Sequence, residues 1–107
     1  MRSTRFQYVH LSRRRNPITV AYVATESDGY IHINMGLAFC HSYDRFIRSL
    51  GREIAEGRLN TSPIYINTPF NSADTSSYGA VIADTIQQFV SDNYHTLSNS
   101  MRRNDLE

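Results

Sequence analysis

The chain has 107 residues, 40% of them hydrophobic and 20% charged, with a net charge of +1. That balance puts it in the globular range and argues against bulk electrostatic binding to nucleic acid. Its longest strongly apolar stretches run to about eight residues where a membrane span takes about 18, and a single cysteine excludes an internal disulfide or a multi-cysteine zinc site.

Phe6-Gln7-Tyr8-Val9-His10-Leu11 reads as a first strand, followed by a polar run from Ser12 to Asn16. Pro17 opens a second strand, Ile18 to Thr25, rich in β-branched and aromatic residues. Ser27-Asp28-Gly29 supplies a hairpin turn, because Asp-Gly tolerates positive φ. The return strand alternates, with Ile31, Ile33, Met35, Leu37 and Phe39 on one face and His32, Asn34, Gly36, Ala38 and Cys40 on the other. The period then changes. Phe46, Ile47, Leu50 and Ile54 fall at helical spacing as an inner stripe, Ser42 or Asp44 is placed to cap the helix, and Gly57 marks its end.

Beyond Asn60-Thr61-Ser62-Pro63 comes a short strand, Ile64-Tyr65-Ile66, and then a polar loop from Asn67 to Ser77. A second helix is expected from about Tyr78 to Leu97, its inner face carrying Ile82, Ile86, Phe89, Val90 and Leu97. The tail from Ser98 to Glu107 reads as loose, and Leu106-Glu107 has the form of an expression-tag remnant. The expected fold is α+β: one domain over residues 1–107, with a small antiparallel sheet of about four strands and two helices packed on one face. No signal-peptide apolar run follows the basic start, so a cytoplasmic location is expected. A core this small would gain from a homo-oligomeric interface.

All eleven basic residues are arginine, and nine of them fall in residues 1–58 against five acids there. Arginine presents a flat fork that grips phosphate or carboxylate at two points. A GC-rich coding genome would give the same bias. Arg45, Arg48 and Arg52 lie within about 60° of one another on a helical wheel, opposite the expected apolar stripe. They form either a solvated face or an anion-binding stripe. Arg13-Arg14-Arg15 is either a solubilising turn or a second grip, and Arg58 extends the basic half.

Phe70 and Asn71 could stack a base and hydrogen-bond its edge, or Phe70 could plug the core. Tyr78 is a similar candidate, and the helix start behind Ser76-Ser77 could receive a phosphate or be simply capped. The four histidines share no metal-ligand spacing, no nucleotide-binding or hydrolase motif occurs, and no metal or cofactor is expected. Cys40 reads as buried and inert rather than as a nucleophile paired with His41.

The segment from Phe39 to Leu59 resembles the central part of the type 1 Thoeris anti-defence proteins, small phage-encoded ligand sponges. The matching features are Phe39-Cys40 followed by Asp44, then Phe46, Gly51-Arg52, Ile54-Ala55 and Gly57-Arg58-Leu59. The resemblance implies a non-catalytic protein that binds a cyclic ADP-ribose isomer, or a cyclic oligonucleotide, and holds it intact so that the host effector stays silent. It also implies a homodimer or higher homo-oligomer with pockets at subunit interfaces, in the host cytoplasm. Arg45, Arg48, Arg52 and Arg58 are the matched basic positions. Phe70, Asn71, Tyr78 and Arg15 are candidate ligand contacts on position and chemistry only. Two readings compete: a phage protein that contacts a host protein or nucleic acid through its arginine face, and a nucleotide-cleaving enzyme using an unidentified histidine.

Overall fold

The Asp28-Gly29 turn organises the sheet. Both residues adopt positive φ, 55° and 80°, as a two-residue hairpin turn requires. In the computed structural model, which describes residues 3–40, 44–71 and 77–105, the turn joins β2 (Ile18–Ser27) to β3 (Tyr30–Ala38). β1 (Arg5–Val9) pairs with β2 and β4 (Ile64–Pro69) pairs with β3, giving an antiparallel sheet in the order β1-β2-β3-β4. Three helices complete this α+β fold: α1 (Arg48–Thr61), α2 (Tyr78–Asp92) and α3 (Tyr94–Asp105). No helix among the described residues is long and apolar enough to cross a membrane.

Alternation along the strands gives the sheet two unlike faces. On the first, Val9, Ile18, Val20, Ile31, Ile33, Met35 and Leu37 are buried with Ile82, Ile86 and Val90 of α2. On the second, Ala21 and Ala38 meet Ala55 and Leu59 of α1. The helices therefore cover both faces, not one. Small residues make the second contact close. A Cβ on Gly36 would overlap the Ala55 carbonyl oxygen and the Leu59 nitrogen, and one on Gly51 would lie 2.6 Å from Thr19 Oγ1. With the α1 backbone seated on β3 at Gly36, only Ala55 and Leu59 of the helix's apolar residues are buried beneath it.

That seating turns α1 away from the orientation its apolar stripe suggests. Ala55 and Leu59 are buried, whereas Ile47, Leu50 and Ile54 are 49%, 50% and 36% exposed. Phe46 is half-buried, edge-on to Tyr8. The helix also starts later than expected. Its N-cap is Ile47 with no side-chain cap, so Asp44 does not cap it and Arg45 precedes it; Ser42 lies outside the described residues. Gly57 sits inside the helix, which ends at Thr61.

Two more boundaries differ. β4 continues through Asn67-Thr68-Pro69, since a strand with one half-buried face and a free edge accommodates polar residues and a proline. The rest of the expected loop, 72–76 with Ser76, lies outside the described residues. The single long helix is broken at Asn93, whose backbone N–H and side-chain amide both donate to the Phe89 carbonyl. α3 then runs to Asp105, so the stretch expected to be loose is helical, with Ser98 buried. Residues 106–107 are not described.

Adding a methyl at Gly36 drives it into backbone rather than into a yielding side chain. Gly36→Ala should cost about 3 kcal/mol by chemical denaturation. Thr19 Oγ1 is buried without a hydrogen-bond partner among the described residues, so Thr19→Val should stabilise the fold by about 1 kcal/mol in the same measurement.

Candidate functional site

The end of the sheet where β2 begins and β3 stops gathers several of the candidate residues. The turn after β1 brings Arg15 over the ring of Tyr94, with the guanidinium carbon 4.3 Å from the ring centroid. Tyr94 is fixed by an edge-on contact with Phe39. Asn16 donates its side-chain amide to Cys40 Sγ at 3.2 Å and to the Asp44 carbonyl at 3.0 Å, tying this turn to the segment before α1. A cavity of about 260 Å³ opens between them, lined by Arg15, Asn16, Tyr94, His95, Ser98 and Asn99 with Phe39 and Cys40 at its floor. It combines a fixed guanidinium, an aromatic face and three amide or hydroxyl side chains.

A second hollow of about 250 Å³ shares Phe39 and Cys40 and is bounded by Asp44, Arg45, Ile47 and Leu50. Its wall is more apolar, and Arg45 is its only arginine. Arg48 and Arg52 do lie one turn apart, but the seating of α1 lays them over β1. The Arg48 guanidinium carbon is 4.7 Å from the Tyr8 centroid, and that of Arg52 is 5.2 Å from Phe6. Arg52 Nε donates to the Tyr8 hydroxyl at 2.7 Å. The pair thus shares a side of the helix with its packing face instead of standing opposite an inner apolar stripe. Arg58 braces the fold by donating to the Leu37 carbonyl at 2.7 Å.

The remaining candidates sit at the other end of the sheet. The Phe70 N–H donates to the Gly29 carbonyl beside the hairpin turn. Its ring packs on the apolar core and lies edge-on to Tyr78 at 5.5 Å. Asn71 is exposed next to it. Burial, and then the charge of Glu26, raise the Tyr78 hydroxyl above its ordinary pKa. β3 alone spans about 30 Å, so Phe70, Asn71 and Tyr78 cannot share a pocket with Arg15, Arg45 or Arg48 of the same protomer. Sequence reasoning missed Asn16, Tyr94, His95 and Asn99. The Asn93 break that delivers the last three was the available signal.

Among the described residues, no three His, Cys, Asp or Glu side chains gather as a metal site would require. Burial, and then the Asp44 carboxylate, push the Cys40 thiol above its ordinary pKa, outweighing the opposing hydrogen bond from Asn16. Less thiolate is present at neutral pH than in an open thiol. Iodoacetamide should therefore label Cys40 more slowly than a model thiol, with the pH–rate inflection displaced upward. An inflection below the ordinary value would mark an activated cysteine. Comparison with family models, curated proteins and solved structures finds no match for this chain.

Proposed function

We propose that the chain is a non-catalytic binder that captures a compact, phosphate-bearing cyclic nucleotide at the Arg15–Tyr94 cavity. The ligand class is the one the Phe39–Leu59 resemblance implies, a cyclic ADP-ribose isomer or a cyclic oligonucleotide, and binding withholds it from a host effector. The observation that carries this reading is the guanidinium of Arg15 held over the Tyr94 ring, 4.3 Å from its centroid, with Asn16, His95, Ser98 and Asn99 around it. A stacked guanidinium has lost its freedom before the ligand arrives and keeps edge donors for phosphate oxygens. The amides and the serine suit ribose hydroxyls.

The volume supports a shared pocket. At about 260 Å³ the cavity falls below the roughly 300–1,000 Å³ usual for ligand sites; in this reading one protomer holds part of the ligand and a second copy, as the resemblance implies, closes over the rest. Ile47, Leu50 and Ile54 supply an apolar surface on α1 for that association.

Titration calorimetry with a cyclic ADP-ribose isomer, followed by heat denaturation and recovery of the ligand, tests this. Intact ligand should be recovered, and Arg15→Ala should weaken binding by about 1.5–3 kcal/mol. Arg15→Lys should rescue little, because an ammonium has no flat fork. Leu50→Asp should shift light scattering toward the 12.3 kDa monomer and weaken binding with it. Degraded ligand would point to an enzyme, and undiminished binding by Arg15→Ala would move the site to Arg45 and Arg48.

A further inference from the structure

We propose that the groove between β4 and α2 binds an extended basic segment of a partner protein, which adds to the sheet as a fifth strand. β4 is an edge strand that pairs only with β3 among the described residues. The parity of its hydrogen bonds follows from the Phe70 N–H bonded to the Gly29 carbonyl. Antiparallel pairs alternate between bonded and non-bonded positions, so Thr68, Ile66 and Ile64 spend their backbone groups on β3. Tyr65 and Asn67 direct N–H and C=O outward, and Pro69 directs a carbonyl. Free backbone groups of this kind recruit an extended chain.

A groove of about 720 Å³ lies beside that edge, with four consecutive β4 residues on one wall and one face of α2 on the other. Phe89 forms part of its floor, and Asp84, Gln88 and Asp92 line the helix side. Gln88 donates to Asp92 Oδ1 at 2.8 Å, fixing that carboxylate at the rim. No cation among the described residues lines the groove. The charge therefore selects a basic occupant.

Spacing narrows the choice further. Asp84 and Asp92 are eight residues apart, about 12 Å along a helix. Residues i and i+4 of an extended strand point the same way and lie about 13 Å apart. The matching segment carries arginine or lysine four positions apart, with a small or apolar residue midway to lie over Phe89. A second copy pairing through its own β4 would bring two sets of Asp84 and Asp92 face to face, and like charges so placed repel.

The test uses a fluorescent nine-residue peptide of alternating threonine and valine with arginine at its third and seventh positions. The control carries glutamate at both. Anisotropy should show saturable binding of the arginine peptide alone, and hydrogen exchange at the Tyr65 and Asn67 amides should slow on binding. Asn67→Pro removes one outward donor while leaving the β3 ladder intact, and should weaken binding about fivefold or more. Asp84→Asn with Asp92→Asn should weaken it about tenfold or more without touching the backbone. Equal binding of both peptides, no saturable binding, or wild-type affinity in either folded variant overturns the proposal. So does a peptide-free dimer that Asn67→Pro dissolves, since a second copy would then hold the edge.

Discussion

At Gly36 the backbone of β3 and the backbone of α1 meet with no side chain between them, and the rest of that sheet face is arranged around the contact. The sheet contributes Ala21, Gly36 and Ala38, and the helix contributes Gly51 and Ala55. Surfaces this flat bring a helix close and leave large side chains only its flanks. Along one flank Arg48 and Arg52 are pressed onto Tyr8 and Phe6. Along the other, Ile47, Leu50 and Ile54 are left outside. At the far end Arg58 reaches the Leu37 carbonyl. This side packs alanines with Leu59, flanked by Phe6 and Val23, whereas the α2 side buries the long aliphatic chains of Ile31, Ile33, Met35 and Leu37.

The same seating governs what the arginines can do. A free surface arginine loses about 2 kcal/mol of rotamer freedom when a ligand fixes it. Arg48, Arg52 and Arg15 already rest on aromatic rings, so much of that loss is taken on folding. Arg58 is committed to the backbone. Arg15 and Arg52 are both restrained and exposed; Arg15 differs in facing a polar cavity, whereas the Nε of Arg52 is engaged by the Tyr8 hydroxyl.

The hairpin, the alternation of β3 and the inner face of α2 were legible because each rests on large residues at regular spacing or on an Asp-Gly turn. The face of α1 was not. Periodicity weights bulk, and Ile47, Leu50 and Ile54 outweighed the glycine and alanine positions that make the contact. The second helix was read through Asn93 because Phe89, Val90 and Leu97 keep helical spacing across the break. Arg15 was named among the candidates, but its partner Tyr94 depends on where α3 docks, which is a tertiary fact. β4 was cut short because polarity at Asn67 and Thr68 resembles a loop until the sheet supplies a neighbour.

The uneven charge along the sequence becomes an uneven charge in space, and among the described residues Arg15, Arg48, Arg52 and Arg58 do not gather on one surface. Arg15 lies at the end of the sheet beside α3, Arg48 and Arg52 lie across β1, and Arg58 is turned to the backbone. Duplex DNA presents phosphates at about 1.7 Å intervals along its axis and is held by proteins that meet many of them at once. Among the described residues, Arg15, Arg48, Arg52 and Arg58 are dispersed over an end, a face and a half-buried brace, and these four would meet few. Acidic side chains line the β4 groove on the opposite margin and would oppose any polyanion that wrapped around the fold. The distribution suits a small anion taken at one arginine and a cation taken at another surface, two recognitions of opposite sign. Asn93 lines the groove and stands between the end of α2 and Tyr94, the first residue of α3 and part of the Arg15 cavity.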